Sequence, residues 1–166
     1  MSRRKGFSLV ELLIVLAVIA ALIATITTVA LNAIRKAQAT KVAQNIKTLA
    51  SAIENAAYVN GTDNGKIKQA DGVSFFESQD HIALLARDVD KGLYGIWYTH
   101  TGNGVFSVSV FTKESVDFTT SKGVLGDLTE TTPGGYLGAS GILKLGNQTG
   151  TGADFSFGYN FSFTVY

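Results

Sequence analysis

The sequence predicts an α+β protein in which a long N-terminal α-helix packs on a mostly antiparallel β-sheet head. Three patterns carry that expectation. The 23 residues from Leu12 to Ile34 hold no charge. Val42, Ile46, Leu49, Ile53 and Ala56 then recur at spacings of four, three, four and three, which is one apolar stripe of a helix. At the far end Phe155, Phe157, Tyr159, Phe161, Phe163 and Val165 alternate with Ser156, Gly158, Asn160, Ser162 and Thr164. That period of two belongs to a strand with one face in a core.

The elements follow in chain order. The uncharged run is long enough to span a bilayer core of ~30 Å at ~1.5 Å per helical residue. Arg3, Arg4 and Lys5 precede it and set its N-terminal side toward the cytoplasm. Arg35 and Lys36 follow it and weaken the asymmetry. Leu9, Leu12, Leu13, Leu16, Ile19, Leu22, Ile23 and Ile26 leave apolar surface all round, so this stretch must be surrounded by lipid or by other helices. With the stripe appended, one helix is expected from about Phe7 to Tyr58. Asn60-Gly61 and Asp63-Asn64-Gly65 supply its stop and a turn. A short helix is expected from His81 to Asp88. Gly95–Thr99 and Val105–Phe111 read as a hairpin with a somewhat long turn around Gly102-Asn103-Gly104. Leu137 to Leu145 reads as a strand interrupted by glycines. The aromatic face of the last strand should lie on the Val42–Ala56 stripe.

Composition narrows the function. Hydrophobic residues make up 46% of the 166, and charged residues only 16%, against roughly 25% in an average soluble domain. Disorder is excluded as the main state. A net charge of +1 gives no basic excess for a dedicated nucleic-acid binder. The absence of cysteine excludes disulfides, thiolate nucleophiles and cysteine-ligated zinc.

The N-terminus admits three readings. A secretory signal peptide would be cut after Ala37-Gln38-Ala39, but its apolar region usually runs ~7–15 residues, and here Arg35-Lys36 intervenes. A plain single-pass anchor is the second. Neither accounts for Glu11 at the head of the apolar run. The third starts from Lys5-Gly6-Phe7-Ser8-Leu9-Val10-Glu11-Leu12-Leu13-Ile14-Val15. This string resembles the class III leader and N-terminus of type IV pilins and pseudopilins over roughly residues 3–36. The resemblance implies that a prepilin peptidase cuts between Gly6 and Phe7 and methylates the Phe7 amine. It divides the chain into a leader (1–6), a long helix (7–59) whose first part (7–34) is membrane span and later filament core, and a β-rich head (60–166). It also implies a pilin fold.

Two features depart from that family. Residues 7–60 contain no glycine or proline, whereas many pilins carry helix breakers near the positions of Ala20 and Thr28. Any loosening would fall to Thr25, Thr27 and Thr28, whose hydroxyls can bond back to the preceding turn. The cysteine pair that closes a C-terminal loop in many pilins is missing.

Cleavage would leave 11 Lys and Arg against 13 Asp and Glu, a side-chain charge of −2, with a new amine on Phe7. Glu11 lies four residues on, about 6 Å along the axis. A carboxylate in hydrocarbon costs ~2.5–3.5 kcal/mol at mid-helix, less near an end. Glu11 is then either a first-turn residue stabilised by the helix dipole or the partner of the Phe7 amine of a neighbouring subunit. Phe7 and Glu11 are accordingly the assembly residues in the second reading.

No catalytic constellation stands out, and an enzyme is not expected. His81 and His100 form no metal-binding pattern. Asp63-Asn64-Gly65 and Asp88-Val89-Asp90 are fragments of calcium loops without an EF-hand frame. Neither metal nor cofactor is expected. Asn60, Asn147 and Asn160 begin glycosylation sequons, and Lys113, Lys122 and Lys144 are scattered cations that give nucleic-acid binding no real support. The resemblance implies a homo-oligomeric helical filament. Its partners would be the prepilin peptidase, an inner-membrane platform, a cytoplasmic ATPase, and the membrane before assembly. The chain would move from the inner membrane to a surface pilus serving adhesion, motility or DNA uptake. A type II secretion pseudopilin and a monomeric membrane-anchored binding module are the alternatives.

Overall fold

The structure is a computed structural model and describes residues 7–138 and 141–166. In chain order the elements are α1 (Leu9–Asn60), β1 (Thr62–Asp63), β2 (Lys66–Ile67), α2 (Ile82–Leu85), β3 (Tyr94–Gly102), β4 (Val105–Thr112), α3 (Phe118–Val124), β5 (Leu128–Thr129), α4 (Pro133–Leu137), β6 (Leu143–Gly146) and β7 (Phe157–Thr164). The chain divides into two compact units, residues 1–37 and 38–166. In the first unit every described residue is exposed, and α1 occupies it from Leu9.

The second unit holds the core. Here α1 buries Ala39, Val42, Ala43, Ile46, Leu49, Ala50, Ile53 and Ala57 on one face. The stripe therefore closes on Ala57; Ala56 is only partly buried. Helical geometry explains this, since Ile53 and Ala57 are four apart and share a face. The helix outruns the expected Tyr58 by two residues and stops where Gly61 takes φ 78°, a left-handed conformation that ends helices.

Five strands form an antiparallel sheet in the order β5-β7-β4-β3-β6. Ile96 pairs with Val110 and Val110 with Tyr159; Tyr98 pairs with Val108 and Val108 with Phe161. These rows, with Phe106, Leu145, Phe157 and Phe163, form one core with the α1 stripe. The predicted contact of the aromatic row with the helix is present: Tyr58 lies 5.7 Å from Phe163, and Lys47 Nζ stands 4.7 Å over Tyr159. The opposite face of the sheet carries a smaller cluster of Trp97, Phe111 and Leu137, with Ile142 and Phe155 against it.

Four local expectations need correction. Phe155 does not continue the aromatic row. It follows a 3₁₀ turn at Gly152–Asp154 and packs 6.3 Å from Phe111 on the other side of the sheet. The β3–β4 turn is tight, because Gly102 pairs with Val105 and both Asn103 and Gly104 take positive φ, as a two-residue hairpin turn demands. The His81–Asp88 helix ends at Leu85, since Ala86 is extended; a 3₁₀ turn at Gln79–His81 precedes it. Leu137 closes α4, which Thr132 caps and Pro133 starts, so among the described residues the strand expected over Leu137–Leu145 begins at Leu143, and it runs on to Gly146.

Two hydroxyls tie this unit together. Tyr98 donates to Phe76 O at 2.7 Å and accepts from Ile67 N–H at 3.3 Å, pinning residues 67–76 beneath the sheet. Tyr94 donates to Glu114 Oε1 at 2.5 Å and accepts from Asn45 Nδ2 at 3.1 Å, joining α1 to the end of β4. Burial raises both phenol pKa values, so both stay protonated donors at physiological pH.

Candidate membrane and assembly segment

The N-terminal segment is built by its caps and its side chains. Ser8 precedes the first helical residue and accepts the Val10 N–H through Oγ at 3.3 Å. Glu11 reaches back and accepts the Ser8 N–H through Oε2 at 2.8 Å. This is a reciprocal arrangement of the capping-box kind. It explains why the helix starts at Leu9 and not at Phe7. The S-x-x-E signal is visible in the sequence. The bond is more specific than a dipole: it fixes the carboxylate at the rim of the helix with one oxygen engaged.

Beyond the cap the segment offers almost nothing but hydrocarbon. Phe7, Leu9, Val10 and every large apolar residue to Ile34 are at least 46% exposed. By length and composition α1 is able to cross a membrane. Its threonine hydroxyls are internally satisfied. Thr25 donates to Leu22 O at 2.9 Å, Thr27 to Ile23 O at 2.7 Å and Thr28 to Thr25 O at 3.0 Å. The threonines thus hide their hydroxyls against the backbone, which suits them to lipid. Of the residues singled out for processing and assembly, Phe7 is exposed just ahead of the cap, Glu11 is in the cap, and Gly6 lies outside the described residues.

The remaining candidates in the head are occupied structurally. His81 Nδ1 accepts the N–H groups of Glu77 and Ser78, both at 3.3 Å. His100 lies 5.0 Å from Phe106. Asn147 is buried: its Oδ1 accepts from Thr149 and Gly150 N–H at 3.0 Å, and its Nδ2 donates to Gly92 O at 3.1 Å. That sequon is therefore a loop clamp. Asn60 donates to Lys68 O and Asn160 to Thr129 Oγ1. Lys113 pairs with Asp154 at 2.8 Å, Lys144 sits 3.9 Å over Trp97 and Lys122 lies 5.4 Å over Phe118. Among the described residues no three His, Cys, Asp or Glu side chains gather as a metal site.

A capped, membrane-length apolar helix followed by a helix-backed antiparallel sheet is a pilin-like α+β architecture. Residues 1–27 match the family model described as the prokaryotic N-terminal methylation motif, which supports the type IV pilin and pseudopilin family, a family of structural proteins. No curated protein and no solved structure matches the chain. The motif implies processing by a prepilin peptidase and a role in pilus or secretion assembly.

Proposed function

We propose that the chain is the subunit of a type IV pilus. The leader, residues 1–6, is removed between Gly6 and Phe7, and Phe7 becomes an N-methylated first residue. Residues 7–34 exchange lipid for sister helices, and the head, residues 60–166, coats a surface filament that serves adhesion, motility or DNA uptake. The observation that carries this reading is the exposed apolar helix with a single acid in its first turn.

Energetics give that acid its role. Lipid tails are as apolar as leucine, so moving such a helix from bilayer to bundle gains little hydrophobic free energy. Close packing holds the bundle, and the few polar groups decide register. An unpaired Glu11 carried into an apolar core would be heavily penalised. Its cap engages Oε2, and a carboxylate has acceptor capacity on both oxygens. Glu11 can therefore keep its cap and still accept the Phe7 amine of another copy.

Mass spectrometry of the mature protein tests the processing step: N-methyl-Phe7 is expected first, and a start at Thr40 would overturn it. Glu11→Ala tests assembly: the variant should insert in the membrane and yield few fibres. Long surface fibres containing this chain support the pilus reading. Assembly confined to a short periplasmic fibre would replace it with a secretion pseudopilin.

A further inference from the structure

We infer that His81 is an acid-sensitive latch of the head: its neutral ring holds the segment Glu77–Leu85 in place, and a proton on Nδ1 releases that segment. Three N–H donors converge on Nδ1. The backbone N–H groups of Glu77 and Ser78 lie at 3.3 Å each, and Gln69 Nε2 lies at 3.2 Å, against 3.4 Å to the other ring nitrogen. The same Gln69 Nε2 donates to Phe75 O at 2.8 Å, which fixes the end of the amide that meets the ring. A ring nitrogen among three donors is an unprotonated acceptor, so the neutral ring carries its proton on Nε2. His81 thus holds the place that a capping box gives to glutamate or glutamine, but it is a residue that titrates between pH 5 and 8.

The latch joins a fixed part of the head to a small one. Gln69 belongs to the stretch that Tyr98 pins through Ile67 and Phe76. His81 ends the 3₁₀ turn at Gln79–His81, which packs against β6 and leads into α2. There Ile82 is fully buried, while Leu84 and Leu85 form one wall of an apolar cleft of about 440 Å³ against Ala52, Ala56 and Val59 of α1. The four residues of α2 are too few to hold as a helix without such contacts. Release of the turn therefore opens the cleft and uncovers Ile82.

A protonated Nδ1 is a donor, and it would face three other donors. The closed segment needs the unprotonated ring, so by linkage closure is favoured at higher pH and lost as pH falls. The charges around the ring do not titrate in its place. Asp80 is the neighbouring carboxylate that attracts a proton to the ring; its bond to Lys91 holds its own pKa below the ordinary 3.8, so it stays ionised. Glu77 is paired with Lys66 at 2.6 Å. In the facing loop Asp71 accepts the Val73 and Ser74 N–H groups, and Lys68 is the other charge. The one charge of β6, Lys144, lies over Trp97; α2 carries none, and α1 brings the uncharged Asn55 and Asn60 to the cleft.

Amide hydrogen exchange of the full chain dispersed in detergent, read alongside the histidine ring resonances from pH 8 to 5, tests this. Protection of the Glu77 and Ser78 amides, corrected for the intrinsic rate at each pH, should fall about tenfold as His81 takes up its proton. The Phe76 amide, which bonds to Ile67 O at 2.9 Å, should stay protected. His81→Gln supplies an acceptor that does not titrate, so it should keep the protection at every pH, whereas His100→Gln should leave the fall as in the wild type. Glu77 and Ser78 amides still protected after His81 is protonated would overturn the inference. So would a ring that takes up no proton down to pH 5, or an equal fall in His81→Gln. The wild-type titration decides alone if that variant does not fold.

Discussion

The Glu11 carboxylate accepts the Ser8 backbone N–H at 2.8 Å, while the Ser8 hydroxyl accepts the N–H of Val10. One acidic side chain thus has a task inside its own helix before any neighbour arrives. That makes alanine an ambiguous probe, since it removes both cap and charge.

Glu11→Gln separates the two. Glutamine serves the same position of a capping box but carries no charge. The helix should therefore start as in the wild type, membrane insertion should be unchanged, and fibre yield should fall as far as in Glu11→Ala. Quantitative recovery of sheared fibres measures this, and wild-type yield from Glu11→Gln would leave capping as the sole role. Ser8→Ala is the counterpart: it should cost about 1 kcal/mol at the helix end and keep most of the fibres.

Tyr94 links the helix to the sheet through Asn45 and Glu114. Tyr94→Phe preserves shape and leaves both partners without the hydroxyl. A destabilisation of about 1–3 kcal/mol is expected, read as a lower urea midpoint for the detergent-dispersed chain. An unchanged midpoint would mean that water replaces the hydroxyl at no cost.

Gly146 is a steric requirement. It takes φ +70°, and an added Cβ would stand 2.3 Å from Tyr94 O and 2.8 Å from Ile82 Cδ1. Gly146→Ala should destabilise the head by more than about 1 kcal/mol. At Gly126 an added Cβ meets nothing within 4 Å, so Gly126→Ala should be close to neutral in the same unfolding assay.

Acid should loosen the tie between Lys113, just past the end of β4, and Asp154. Asp154 is bonded first to Lys113 and then to Thr149 and Asn147, which hold its pKa below the ordinary 3.8. A depressed folded pKa adds stability that is present above the unfolded value and lost as pH falls through the folded one. The difference between wild type and Asp154→Asn should accordingly be constant near neutrality and shrink below about pH 4. Urea midpoints at several pH values measure it; a difference that persists at low pH would remove the ion pair as its cause.

The parts of the molecule that follow one simple period were legible in the sequence. The α1 stripe and the alternation from Phe157 to Phe163 each repeat long enough to fix a face, and they meet as expected. Local chemistry was harder to read. Alternation alone carries the row to Phe155, because it does not reveal the 3₁₀ turn at Gly152–Asp154 that sets Phe155 on the other side. The turn at Asn103-Gly104 looked long because only the left-handed conformation of both residues makes it short. Lysines that read as scattered are committed to Asp154, Trp97 and Phe118, partners separated from them by 41, 47 and 4 residues. The Ser8–Glu11 cap has a visible signature, S-x-x-E at the head of the apolar run.

The central claim is that α1 trades lipid for sister helices with Glu11 seated on a neighbour's N-terminus. A high-resolution density map of fibres sheared from cells tests it most directly. The account predicts N-methyl-Phe7 of one subunit within about 4 Å of the Glu11 carboxylate of another, with α1 surrounded by its own kind. A map in which α1 stands alone, or in which Glu11 faces only solvent, would contradict it.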